Sequence, residues 1–349
     1  MSFKVSMERD SSVECFRILA TFLVLLVHFA GWFVWGGVSE PYDTSLPLSF
    51  RMGQMLMEAL GVVCVNCFLI ISGWFGIKLK FSAVWKMYVL IFFIYVPFQI
   101  ISYVLSGTFS IRLFLDNVLV FVRESYFVQC YTMLMFLSPM INLFIEKHGR
   151  NAKNYVLMFW LIEILLESVW DNKSLGFENG YSLIHFVLIY MLARVASLYK
   201  NEILSVKKHW WILGYLFCVS VVCLMHLVGY KHTWDYSNPV VVLESFCLFF
   251  PFLYHKFHNK TVNWLAGSSF AVYIMHTCSP MIDYLRLVDN FLLNNYSYVV
   301  YLIGICIIMV LTFVACVLYD KLRIYLTKDF TDKIFNFITS KIKFSLYGE

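Results

Sequence analysis

Arg17 and His28 are the residues of this sequence best placed to do chemistry. They stand eleven positions apart in a run that is otherwise mostly apolar. At 100° per residue that spacing is three turns plus about 20°, so one helix carries both on one face, about 16 Å apart along its axis. Glu14 lies one turn before Arg17 and can pair with it. Thr21 falls in the same stretch. A neutral imidazole held at depth serves as a general base, since its ordinary pKa of about 6.5 suits neutral pH. A guanidinium at the mouth of such a site holds a phosphate. The pair therefore describes a site that takes a phosphorylated donor at one end and deprotonates an acceptor at the other. The plain alternative is an interhelical hydrogen bond from His28 and an Arg17 that snorkels to the interface.

The elements that position these residues are membrane helices. Of the 349 residues, 60% are hydrophobic and only 14% are charged, against roughly 25% in a soluble domain. A soluble chain this apolar cannot cover its core, whereas lipid is itself the apolar solvent. Ten segments approach the roughly 20 residues needed to span hydrocarbon: 15–35, 55–75, 84–106, 126–145, 154–170, 181–199, 210–229, 239–255, 262–283 and 298–319. The first run is too long for the apolar stretch of a signal peptide and lacks a small-residue cleavage site, so it reads as a retained helix. The run 111–122 carries Arg112 and Asp116, is followed at once by Arg123, and reads as a surface or re-entrant piece. Placing the N-terminus inside puts Lys and Arg on the inner side by about three to one, which predicts both termini in the cytoplasm. The expected fold is an all-α polytopic bundle of about ten transmembrane helices. Residues 1–320 form its membrane domain, and 321–349 form a basic amphipathic tail that lies on the anionic inner leaflet.

Other residues are weaker candidates. Tyr273 and His276 follow Ser268 and Ser269 in the ninth segment, where His276 lines the same cavity as His28 or bonds a neighbouring helix. His185, His226 and His232 have no metal-ligand spacing, and His255 and His258 read as solvated. Lys78, Lys80 and Lys86 follow Ser72-Gly73-Trp74. They can contact a donor's phosphates, although such lysines more often only set topology. Cys64 and Cys67 form a C-x-x-C inside an apolar run with no second pair beside it, so they read as buried small hydrophobes. No metal is expected. The net charge of +5 points to anionic lipid or ligand, not to nucleic acid, because no compact basic domain stands outside the apolar segments.

The first-helix phrase ECFRILATFLVLLVHFA, with Arg17 and His28, resembles the signature of the integral membrane acyltransferase-3 family. The stretches VNCFLIISGWF (65–75), YFVQCYTMLMFLSPMINLFIEK (126–147), GYSLIHFVLIYMLAR (180–194) and NWLAGSSFAVYIMH (263–276) resemble further family phrases in order and spacing, from about residue 8 to 320. The resemblance implies an O-acyltransferase of the bacterial inner membrane that acts on a surface polysaccharide or lipid-linked sugar, with acetyl-CoA as donor. It implies that His28 is catalytic and that Arg17 handles the donor, with Glu14 in support. Many members have Asp at the position of Glu14, and many carry two arginines three apart after the second helix. Here only Lys78, Lys80 and Lys86 stand there. Tyr273 and His276 are expected to orient the acceptor. A glycan transporter or flippase is the rival reading, using the same polar stripe as a substrate path. A third is a structural membrane protein without a ligand.

Overall fold

The computed structural model describes residues 9–32, 45–107, 110–118, 126–172, 176–278 and 281–341. Arg123 and the ends of the runs 15–35 and 111–122 lie outside them. Every regular element among the described residues is helical. The first is α1 (Ser11–Val27), which continues as a π-helical turn over His28–Trp32. Next come α2 (Leu48–Gly61), α3 (Cys64–Phe75), α4 (Phe81–Ser106), α5 (Ile111–Val118) and α6 (Tyr126–His148). Then α7 (Ala152–Glu163) runs into a second π-helical turn, Ile164–Val169, and is followed by α8 (Leu183–Ser197), α9 (Lys200–Ser205) and α10 (Lys208–Leu227). The last are α11 (Pro239–Phe249), α12 (Lys260–Ala266), α13 (Ser269–His276), α14 (Met281–Asn295) and α15 (Tyr298–Lys341).

Among the described residues six stretches are long and apolar enough to cross a membrane: Ser11–Gly31, Leu48–Phe75, Phe81–Ser106, Tyr126–Val169, Lys208–Leu227 and Tyr298–Ser340. Helices over Leu183–Ser197 and Pro239–Leu253 are apolar but shorter. The structure refines several expected segments. The run 55–75 is two helices, α2 and α3, meeting at Val62 and Val63. The run 262–283 is broken at Gly267 and Ser268, so α12 and α13 are separate pieces. A helix not foreseen in the sequence, α14, fills the connection to α15. The last helix runs unbroken for 44 residues, so the expected boundary at 320 falls inside it.

Hydrogen bonds at one end of α1 fix its register against α12. Asp10 caps the helix by accepting from the Ser12 N–H at 3.1 Å. Ser11 Oγ donates to Asn263 Oδ1 at 2.8 Å and accepts from the Asn259 N–H at 2.7 Å. Asn259 in turn caps α12 by accepting from Thr261 and Val262. The start of α13 is tied to α15: Ser268 Oγ donates to Asp320 Oδ2 at 2.6 Å, and Arg323 donates to Asp320 Oδ1 at 2.6 Å. With these ends fixed, α1 and α13 run in the same direction. Residues near Arg17 meet the start of α13, and His28 meets its end.

The core around this pair is close-packed. A cluster including Phe16, Val24, Cys67, Ile70, Phe186, Ile189 and Ala193 joins α1, α3 and α8. Gly73 allows α3 and α8 to cross closely: a Cβ there would overlap the Tyr190 carbonyl and lie 2.7 Å from the Ala193 Cβ. Small residues at helix crossings are how membrane helices gain contact. After α3 the chain turns at Gly76, whose φ of 73° is left-handed and suits glycine. The next residue is clamped on both sides. Ile77 N–H donates to Tyr190 Oη at 2.9 Å, Asn142 Nδ2 donates to the Ile77 carbonyl at 3.0 Å, and Tyr190 Oη donates to Asn142 Oδ1 at 2.8 Å. This clamp sets where the following lysines emerge.

Candidate active site

The two histidines singled out on α1 and α13 meet, although 248 positions separate them. His28 Nδ1 lies 2.7 Å from His276 Nε2, with ring centroids 4.8 Å apart. The hydrogen-bond network assigns the protons. His276 Nδ1 lies 2.7 Å from the Val272 carbonyl oxygen, which only accepts, so this nitrogen carries the proton. In the neutral pair His276 Nε2 is then the acceptor, and His28 donates to it from Nδ1. The basic lone pair of His28 therefore sits on Nε2. His28 also occupies the point where α1 widens from α to π geometry. Such turns are costly and frequent at functional sites. Tyr301 supports this turn: its hydroxyl lies 3.3 Å from the Phe29 carbonyl oxygen and 3.0 Å from Asp289 Oδ1 on α14.

Arg17 lies nearer the start of α1, its side chain 29% exposed, and donates to Glu14 Oε2 at 2.5 Å. It opens onto a cavity of about 330 Å³ between α1, α3, α4, α6 and α13. Apolar rings and thioethers form much of the wall, with Phe68, Met87, Phe127 and Phe270 among them. The polar lining is Arg17, Ser72, Tyr131, Ser269 and Tyr273. Ser72 donates to the Phe68 carbonyl at 2.9 Å and lies 3.1 Å from Tyr131 Oη. Tyr273 belongs to both regions. It lines the cavity, and its ring centroid is 6.2 Å from that of His276.

The structure thus brings Glu14, Arg17, Tyr273, His276 and His28 into one stripe along facing helices. Lys78, Lys80 and Lys86 are exposed, on the connection after α3 and the first turns of α4, and are not among the cavity's lining. Ala83 and Met87, interleaved with them on α4, do line it. His255 and His258 are exposed. His226 packs on Trp234 and His232 pairs with Asp235 at 2.7 Å. Cys64 and Cys67 are buried free thiols. Among the described residues no group of three or more His, Cys, Asp or Glu side chains could hold a metal ion.

One buried constellation escaped the sequence reading. His185 on α8 lies 2.9 Å from Glu163 Oε1 and 3.0 Å from Asn66 Oδ1, and Asn66 Nδ2 donates to the Tyr236 carbonyl at 2.9 Å. All three side chains are fully buried. Asn66 spends its donor on Tyr236, so it accepts from His185 Nε2–H. Glu163 and His185 Nδ1 then share one proton. The signal available in the sequence was Glu163 itself, a carboxylate within an apolar run.

The histidine pair thus lies beyond Tyr273 from a cavity that Arg17 lines, all of it inside a bundle of apolar helices. The sequence profile of the acyltransferase-3 family, described as an acyltransferase domain, matches residues 10–321. The chain belongs to that family and is a multi-pass membrane acyltransferase. No curated protein and no solved structure matches it.

Proposed function

We propose that this acyltransferase moves an acyl group, acetyl in the first instance, from cytoplasmic acyl-CoA to a hydroxyl of a cell-surface polysaccharide or lipid-linked sugar. We place it in the bacterial inner membrane, embedded in lipid through about ten spans, with both termini cytoplasmic. The observation that carries this reading is the His28–His276 pair, which leaves His28 Nε2 as the base. The distance from Arg17 agrees with it. A phosphopantetheine arm, extended, measures about 15 Å from phosphate oxygen to sulfur, close to the about 16 Å between Arg17 and His28 along α1.

Arg17, steadied by Glu14, holds the donor's phosphates, and Lys78, Lys80 and Lys86 attract them from solvent. The apolar cavity takes the arm. The Tyr273 ring turns aside for the thioester to meet His28. The acceptor hydroxyl gives its proton to His28 Nε2 as its oxygen attacks the thioester carbonyl. The C–S bond breaks, and the proton passes from Nε2 to the departing thiolate. His276 accepts from Nδ1–H throughout and so stabilises the imidazolium.

Acyl transfer from labelled acetyl-CoA tests this, in membranes of the producing host that contain wild type or His28→Ala at equal levels. We expect label in the extracted glycan with wild type and a loss of about 10²–10⁴-fold in the variant. Equal labelling by both would remove His28 from the chemistry. Absence of label with wild type, while glycan still reaches the surface, would refute the donor or the acceptor.

A further inference from the structure

We propose that Ser269 is the donor-recognition residue of the cavity, its hydroxyl binding the pantoyl amide of a phosphopantetheine arm. This inference rests on the acyl-CoA reading above and adds to it a means of telling long carrier thioesters from short ones. Ser269 is 1% exposed, lines the cavity, and its Oγ has no hydrogen-bond partner. Buried hydroxyls are otherwise paired, because leaving one unpaired costs its full desolvation. Elsewhere in the lining the polar groups are engaged: Ser72 with Phe68 and Tyr131, and Arg17 with Glu14. Ser269 is also the first residue of α13, where the backbone N–H groups of the opening turn have no partner within the helix. Ser268 just before it is spent on Asp320. An amide carbonyl lying here meets a hydroxyl donor that has no other acceptor.

Depth selects which amide. Ser269 precedes His276 by seven residues, about 10 Å along the helix. In an extended arm the cysteamine amide nitrogen is about 4 Å from the sulfur, and the pantoyl amide nitrogen about 9 Å. With the sulfur at the histidine pair, the pantoyl amide reaches Ser269 and the cysteamine amide stops short of it, beside Tyr273.

The test compares acetyl-CoA with S-acetyl-N-acetylcysteamine, which keeps the inner amide and lacks the pantoyl one. Transfer of labelled acetyl to glycan is measured with full-length wild type, Ser269→Ala and Ser269→Thr in host membranes. We expect Ser269→Ala to lower kcat/KM for acetyl-CoA roughly tenfold through KM, to leave the short donor unchanged, and to be largely restored by Thr. Should the short donor turn over too slowly, its inhibition constant against labelled acetyl-CoA gives the same comparison. An equal loss with both donors means that Ser269 is only structural and overturns the proposal. No loss with either does the same. Failure of wild type to use acetyl-CoA at all would instead overturn the donor reading on which it stands.

Discussion

His276 has two ring nitrogens and both are committed, one to the Val272 carbonyl and one to His28. That makes it an orienting partner: it fixes the tautomer of His28 and receives no proton itself. Replacing it with Leu frees the tautomer and leaves Nδ1–H of His28 unpaired. We expect His276→Leu to lower kcat about 10²-fold with the donor KM unchanged. His276→Gln, which keeps an acceptor at a similar reach, should recover part of it. A Leu variant with the wild-type kcat would remove His276 from the mechanism. At this scale the sequence was informative about α1 and poor about contacts. The spacing of Arg17 and His28 follows from helical periodicity. That His276 would face His28 depends on how α1 packs on α13, which no local pattern encodes. Glu163, His185 and Asn66 come from three helices and escape for the same reason.

The π-helical turn from His28 to Trp32 is the element that positions the base proposed above, and it is held from outside. Tyr301 on α15 offers one hydroxyl proton to two acceptors, the Phe29 carbonyl within that turn and Asp289 on α14. Both Tyr301 and Asp289 are buried. Tyr301→Phe removes the external donor while keeping the ring. We expect kcat to fall about fivefold to tenfold at unchanged donor KM, read from the same transfer assay. A fall confined to KM would show that Tyr301 acts on donor binding instead. Neither the turn nor α14 was legible in the sequence. A π turn has no composition of its own, since packing imposes it. The segment of α14 mixes Asp283, Arg286 and Asp289 with apolar residues, and its short apolar face has no spanning length to betray it. The break at Gly267 and Ser268 was hidden because hydropathy averages over 262–283, whereas the helix is interrupted by two residues.

The bundle is held together at long range by buried polar ties as well as by apolar packing. Asp320 is 1% exposed and the Arg323 side chain 10%. Asp320→Ala would strand that guanidinium and release Ser268 at the start of α13. We expect a loss of about 3–5 kcal/mol, seen as earlier thermal unfolding in detergent, with Asp320→Asn milder because it can still accept from Ser268. An unchanged unfolding temperature would show that the tie is dispensable. Hydropathy made the all-helical membrane class legible at this scale, because lipid demands both a helix and an apolar surface. The continuity of α15 was not legible, since its composition changes at Asp320 while its backbone does not.

That continuity has a consequence for how the donor nucleotide proposed above would be caught. A helix of 44 residues is about 66 Å long, and even at a tilt of about 40° it covers roughly 50 Å of membrane normal, well beyond the about 30 Å of hydrocarbon. Its charged second half therefore has the length to stand clear of the acyl chains, instead of lying along the inner leaflet. Phe335, far along it, stacks on Phe81 at 5.7 Å and leans on Trp85, so the start of α4, with Lys80 and Lys86, is held beside that second half. Anionic headgroups repel a polyanionic nucleotide over a screening length of about 8 Å. Cations held beside a helix that projects past that layer would meet the donor nucleotide proposed above in open solvent. Donor capture should then be nearly indifferent to the anionic lipid content of the surrounding vesicle, and a steep dependence on it would place the lysines back at the headgroups.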